Sequence, residues 1–312
     1  MATASERTGA VAGPDGGRAR LVAEVTARTG STREATWIVE HVEAHPTGGG
    51  VDTRAGALAL ADRRAAGEPL QYVLGTWAFR SLELQVDRRV LIPRPETEQV
   101  VDVALVELAR IASGGDDDGA GDPAAAGPLV CVDLGTGSGA IALSLAVEGA
   151  RLGRPIEVWA TDASPDALDV ARANRAALAA SDPAAAARVT FAEGSWFDAL
   201  PERLARRVDL VVSNPPYVSE AEFADLEPTV REWEPYSALV APRGRSGVAG
   251  LADVEAVVAG SASWLRRHGG LVVELAPSQA YGAIDAARRA GFTRVGTARD
   301  LAGRLRMLVA SR

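Results

Sequence analysis

Five short apolar runs after residue 128 share one pattern: 129–134 (LVCVDL), 156–161 (IEVWAT), 188–192 (RVTFA), 208–213 (VDLVVS) and 270–276 (GLVVELA). They are rich in β-branched residues and show little polar alternation, as expected of strands covered on both faces in a parallel sheet. Between and after them, helical spacing occupies 139–149, 165–179, 251–267 and 277–290. Two final runs, 292–297 and 305–310, are close enough in sequence to pair antiparallel. Strand and helix alternating in this way predict an α/β fold with a doubly wound, mostly parallel sheet whose last strand is antiparallel.

The first hundred residues follow a different period. Residues 19–75 read as a small helical bundle: Ser31 and Glu34 have capping-box spacing, and Trp37, Ile38, His41 and Val42 then share a helical face. Asp52 can cap a further helix that ends at Gly67-Glu68-Pro69. Leu82, Leu84 and Val86 alternate with Glu83, Gln85 and Asp87, the pattern of a half-exposed strand. The run 89–92 follows a polar turn at Asp87-Arg88, so the two predict a β-hairpin. Pro95 suits the first turn of a helix continuing through Val100, Val101, Val103, Leu105 and Leu108. The expected organisation is a disordered lead-in over 1–18, a helical domain over 19–75, a hairpin linker over 76–94 and a catalytic domain over 95–312. The stretches 114–128 and 181–187 read as surface insertions.

Composition narrows the chemistry. The 312 residues include 47% hydrophobic and 24% charged, typical of a globular chain with a sizeable core. No run approaches the ~18 apolar residues of a membrane span. The N-terminus lacks the apolar segment of a secretory signal, and a single cysteine, Cys131, suits a reducing cytoplasm. All 33 basic residues are arginine, which excludes lysine nucleophiles and Schiff bases. His41, His45 and His268 are not grouped with Cys131 in any metal spacing, so no metal is expected. A net charge of −8 disfavours a nucleic-acid partner, whose phosphates require a basic face.

Chemistry gathers at the ends of four consecutive strands. The run 207–218 (RVDLVVSNPPYV) stops at Asn214-Pro215-Pro216-Tyr217, where two prolines end the strand and hold a carboxamide and an aromatic ring on a stiff turn. In open α/β sheets, ligands bind at that edge. The first parallel strand ends in Asp133-Leu134-Gly135-Thr136-Gly137-Ser138-Gly139, a glycine loop that lets a ligand approach the backbone and a helix N-terminus. Its G-x-G-x-G spacing departs from the pyrophosphate fingerprint. Asp162 ends the second strand about twenty residues further on, where a carboxylate either holds a ribose diol or, like Ser164, caps the next helix. Trp196 follows the third strand in a Trp-Phe pair that either covers an adenine or belongs to the core. Together these residues describe an adenosine pocket with a polar acceptor site beside it.

Asp133 to Gly139, Asp162 and Asn214 to Tyr217 resemble the S-adenosylmethionine-dependent methyltransferases of the Rossmann-like class I fold. Arg63 to Tyr72, Leu91 to Glu98, and Asp300-Leu301 with Gly303-Arg304 resemble signatures of the peptide chain release factor N5-glutamine methyltransferases. What the resemblance implies is methylation of the glutamine side-chain amide in a Gly-Gly-Gln loop of class 1 release factors, in the cytoplasm, by a monomer. It also implies that Gly135, Thr136, Gly137, Ser138 and Gly139 wrap the methionine part of the cofactor. Asp162 would hold its ribose, and Trp196 would lie by the adenine. Asn214, also placed near the cofactor, would accept a substrate N–H bond together with the Pro215 carbonyl. Pro216 would stiffen the turn and Tyr217 would pack on the amide plane. The helical domain would dock the release factor, and Arg94, Glu96 and Thr97 would edge the pocket.

Two places depart from the family pattern: the 240–250 segment, where relatives have a shorter glycine turn, and Ala276, where they tend to have glycine. Both are expected to lie outside the cofactor contacts. The rival readings are a ribosomal-protein glutamine methyltransferase, an adenine-N6 DNA methyltransferase, which the acidic balance disfavours, and a cofactor-binding regulator without catalysis.

Overall fold

A computed structural model of the chain describes residues 14–45, 52–114 and 127–312. It has two compact units, Met1–Leu74 and Gly75–Arg312. The first contains α1 (Pro14–Thr29), α2 (Thr32–Ala44), α3 (Thr53–Ala65) and the short α4 (Leu70–Leu74). Val25, Ile38, Val39, Ala57 and Ala61 are fully buried between them. Ser31 caps α2 by accepting from the Glu34 amide, and Asp52 caps α3 by accepting from the Arg54 amide. Glu34 does not return to Ser31. It pairs with Arg64 at 2.8 Å and so ties α2 to α3. His41 is half-buried with its ring 4.6 Å from that of His45. Because α1 begins at Pro14, residues 14–18 of the expected lead-in are helical; residues 1–13 lie outside the described residues.

The second unit opens with a hairpin of β1 (Thr76–Phe79) and β2 (Leu82–Gln85), in which Trp77 faces Leu84. The expected hairpin arm at 89–92 is not a strand. Val90 and Ile92 do bury their side chains, which produces the strand-like pattern. Their backbone hydrogen bonds go elsewhere: the Val90 amide to the Asp87 carbonyl, the Ile92 amide to the Glu234 side chain. The observed turn sits at Arg80, which holds φ at 54° and is braced by Glu148 and Asp102.

Then follow α5 (Pro95–Ala112), β3 (Leu129–Leu134), α6 (Ala140–Glu148), β4 (Ile156–Asp162), α7 (Pro165–Ser181), α8 (Pro183–Ala187), β5 (Val189–Glu193) and β6 (Val208–Ser213). The chain continues through α9 (Glu220–Ala224), α10 (Pro228–Arg231), α11 (Tyr236–Leu239), α12 (Ala252–Trp264), β7 (Leu265–Glu274), α13 (Ala280–Arg289), β8 (Arg294–Arg299) and β9 (Leu305–Ser311). Among the described residues one sheet runs in the order β5-β4-β3-β6-β7-β9-β8. Its first five strands are parallel, and β9 lies antiparallel between β7 and β8. Every residue of β6 is buried, which is why this strand reads as one apolar run. One hydrophobic cluster packs α5 and α6 on one face; another packs α12 and α13 on the other.

Two further expectations change. β7 starts at Leu265, five residues early, because Leu265 pairs with Val208 ahead of an irregularity in the β6–β7 ladder. The 181–187 stretch is not a surface insertion: Asp182 caps α8, and Ala185 and Ala186 bury against the α6 side of the core. Of the 114–128 stretch, residues 115–126 lie outside the described residues. Among the described residues no helix is long and apolar enough to cross a membrane, and no group of three His, Cys, Asp or Glu side chains could hold a metal ion. The strand order reverses between β3 and β6, so their carboxyl ends open a crevice at the switch point.

Candidate active site

That crevice is a cleft of about 500 Å³ whose wall includes Gly135, Gly137, Asp162, Trp196, Asn214 and Pro216. The glycine loop is built from left-handed positions, with φ of 71° at Gly135, 54° at Gly137 and 84° at Gly139. The amides of Gly135 and Thr136 donate to the Thr161 carbonyl at 2.8 and 2.9 Å, which folds the loop over the end of β4. A Cβ on Gly137 would meet nothing within 4 Å and would stand in the cleft. Thr136 and Ser138 also line the cleft, but Gly139 serves packing: a Cβ there would lie 3.3 Å from Leu143 and 3.4 Å from Ala171.

Asp162 bridges this loop to the next helix. Its Oδ2 accepts from the Gly137 amide and its Oδ1 from the Ser164 amide, both at 2.9 Å. Ser164 is the residue that caps α7, accepting from the Ala167 amide, so Asp162 is left to the cleft. Burial holds the Asp162 carboxyl above its ordinary pKa, against the backbone amides that favour its charge. The Trp-Phe pair splits. Trp196, at φ 47°, lies against Gly135 on the cleft wall, with its carbonyl held by Thr161 Oγ1 at 2.8 Å. Phe197 turns into the core and stacks on Trp264.

At the end of β6, Asn214 and Pro216 face the cleft, Pro215 is buried and Tyr217 is half-buried; Pro215 and Tyr217 are not among the wall residues. Asn214 Nδ2 donates to Thr97 Oγ1 at 3.1 Å. Thr97 Oγ1 in turn donates to Glu274 Oε2 at 2.8 Å, and the Tyr217 hydroxyl donates to Glu274 Oε1 at 3.2 Å. Glu274 is almost fully buried at the end of β7. Burial pushes its carboxyl up to about 7, opposed by Thr97, Arg306 and Tyr217. Burial, with the neighbouring Glu274 charge, also raises the Tyr217 phenol well above its usual value.

The rim is tied by ion pairs. Arg94 pairs with buried Glu234, and Glu96 pairs with Arg304 at 2.9 Å. The 240–250 segment gives no residue to the cleft wall but packs behind the turn that follows β6. Gln279 Nε2 donates to the Tyr217 carbonyl at 2.8 Å and to the Ala249 carbonyl at 3.1 Å. At Gly250, φ is 67° and a Cβ would come within 2.3 Å of the Tyr217 carbonyl oxygen. Sequence reasoning missed Glu274, Gln279 and Glu234 as parts of this arrangement. The available signal for Glu274 was an acid closing an apolar strand next to β6.

Comparison with known proteins adds to this geometry. Residues 128–245 match the model of a methyltransferase domain family. The chain is 41% identical to a release factor glutamine methyltransferase of Gloeobacter violaceus, over 77% of this chain and 73% of that protein. It is also 41% identical to one of Burkholderia pseudomallei (80% and 78% covered) and 38% identical to one of Cereibacter sphaeroides (79% and 76% covered). A crystal structure of a methyltransferase from Pyrococcus furiosus is similar more loosely, with a TM-score of 0.48 and 15% identity over 75% of this chain and 90% of that one.

Proposed function

The chain belongs to the release factor glutamine methyltransferase family, and from that premise we propose that it methylates the side-chain amide nitrogen of the glutamine in the Gly-Gly-Gln motif of class 1 release factors. The observation that carries the reading is the Asn214 carboxamide at the cleft wall, with its nitrogen engaged by Thr97 and its oxygen left as an acceptor.

The cleft fits S-adenosylmethionine. Gly137 leaves open the space a Cβ would fill, Asp162 presents a carboxylate beside the loop, and Trp196 walls the same cavity. When bound, that group supplies a methyl on a sulfonium centre. Gly135, Thr136, Gly137 and Ser138 would hold its methionine portion, with Gly139 setting the approach of α6. Asp162 would hold the ribose diol and Trp196 the adenine face.

An amide nitrogen is a weak nucleophile because its lone pair is delocalised into the carbonyl. Asn214 Oδ1 and the Pro215 carbonyl accept its two N–H bonds, which turns the lone pair toward the methyl group and stabilises the positive charge that develops on nitrogen. Tyr217 is anchored through its hydroxyl on Glu274, and its ring would pack on the amide plane. S-adenosylmethionine, when bound, would give up its methyl with the carbon–sulfur electron pair staying on sulfur, and the surplus proton on the amide nitrogen would pass to solvent. The helical unit at 19–75 docks the release factor, and the enzyme works as a cytoplasmic monomer.

The test is incubation with purified release factor and labelled S-adenosylmethionine, followed by mass spectrometry of the Gly-Gly-Gln peptide. One methyl on that glutamine is expected. Asn214→Ala should lower kcat by about 10²–10³ while S-adenosylhomocysteine still binds. An unchanged kcat would overturn the role of Asn214, and methylation of adenine in DNA or of a ribosomal protein instead would overturn the substrate.

A further inference from the structure

We propose that the buried Glu274 carboxylate sets the direction of a hydrogen-bond relay through Thr97 that holds the Asn214 carboxamide with its oxygen toward the substrate, so that the site selects an amide NH₂ over a carboxylate. This rests on the reading of Asn214 as the acceptor of the substrate amide.

An ionised carboxylate only accepts hydrogen bonds, and a hydroxyl has a single proton to give. Thr97 Oγ1 and the Tyr217 hydroxyl both spend theirs on Glu274, at 2.8 and 3.2 Å. Thr97 Oγ1 then has only lone pairs left for its other neighbour, and the 3.1 Å contact must be Asn214 Nδ2 donating. A carboxamide has one donor end and one acceptor end, so Oδ1 is the end left for the cleft. There it matches the N–H bonds of a glutamine side chain and repels the oxygens of a glutamate.

Reversing the relay removes that match. A protonated Glu274 can donate to Thr97, freeing the Thr97 proton to point at Asn214 and accommodating the flipped amide. Nδ2 would then face the substrate NH₂, donor against donor. The polar groups that act on Glu274 are Thr97 and Glu96 on α5, Tyr217 after β6, and Arg306 on β9, itself beside Asp300; Arg94, ahead of α5, acts on Tyr217. Burial raises the Glu274 carboxyl to about 7, which places the reversal in the neutral range. Glu274 is therefore a positioning residue, acting on the substrate through Thr97 and Asn214.

The experiment compares wild type with Glu274→Gln and Thr97→Val on release factor across about pH 5.5–9, measuring kcat and KM separately. Equilibrium binding to release factor carrying Gly-Gly-Gln or Gly-Gly-Glu is measured with S-adenosylhomocysteine present. Wild-type kcat should fall on the acid side, and both variants should lose that acid limb and about 10-fold or more of kcat near pH 8. Their preference for the glutamine form should shrink about 10-fold, with S-adenosylhomocysteine affinity unchanged. Wild-type kcat, pH profile and glutamine preference in Glu274→Gln would overturn the relay. If Glu274→Gln does not fold, the same result in Thr97→Val overturns it. A wild-type protein that does not methylate release factor would instead sink the functional reading beneath.

Discussion

The side-chain amide of Asn174 on α7 donates to the carbonyl of Ser138 at 2.9 Å and so fixes the outer turn of the glycine loop. The same buried side chain holds the hairpin: Nδ2 also donates to the Gln85 carbonyl at 3.1 Å, and Oδ1 accepts from the Gln85 amide at 2.6 Å. One residue thus joins α7, β2 and the loop proposed to hold the cofactor. Asn174→Ala removes three hydrogen bonds and strands the Gln85 amide, for a cost of about 2–4 kcal/mol. Because Ser138 lies on the cleft wall, S-adenosylhomocysteine affinity should fall about 10-fold in parallel. Urea unfolding and calorimetric titration check the two effects, and full affinity in a destabilised variant would separate Asn174 from the loop.

Nothing around Asn174 in the sequence announces this. Inside a helical pattern an asparagine reads only as a weak helix former, and its partner Gln85 is 89 positions away. The same distance hid Glu274, whose contact Thr97 lies 177 positions upstream. The glycine loop, Asp162, Trp196 and Asn214 were legible because each directly follows a recognisable strand, and a parallel sheet brings those strand ends together. Short apolar runs likewise revealed the parallel strands, yet the same signal misplaced one arm of the hairpin. Val90 and Ile92 bury side chains as a strand would, and only their backbone bonds, Val90 to Asp87 and Ile92 to Glu234, show that the segment is not in a ladder.

Glu234 deserves its own test, since it organises that non-strand segment. It is buried, accepts from the Ile92 amide at 3.0 Å and pairs with Arg94. Glu234→Ala leaves a buried amide and an arginine without their partner, which should cost about 2–4 kcal/mol. Val90, Leu91 and Pro93 line the cleft, so loosening them should also raise KM for the release factor. Glu234→Gln keeps an acceptor for Ile92 and should lose about half as much stability. Urea unfolding ranks the variants, and amide exchange at Ile92 reports the local release. Equal stability of Glu234→Ala and wild type would show that the segment is held by its apolar contacts alone.

Asp133 makes stability depend on pH in a direction opposite to most carboxylates. It is fully buried at the end of β3, where Oδ2 accepts from Thr136 Oγ1 at 2.7 Å and from the Ala142 amide at 3.1 Å, while Oδ1 has no partner. Burial, with a smaller contribution from the Asp162 charge, pushes its carboxyl up to about 7, against the two hydrogen bonds that favour the ion. A carboxyl that holds its proton more firmly in the folded chain adds stability below its ordinary value of about 4. That contribution drains away as pH rises through about 7, where the buried group must ionise. Asp133→Asn retains one acceptor oxygen and cannot ionise. Relative to wild type it should therefore gain stability steadily between about pH 4 and pH 8, by up to a few kcal/mol. Glu274 titrates in the same range but is present in both proteins and cancels from the difference. Unfolding midpoints of the ligand-free pair across that range are the measurement, and a difference that stays constant with pH would show that Asp133 is already ionised at the acid end.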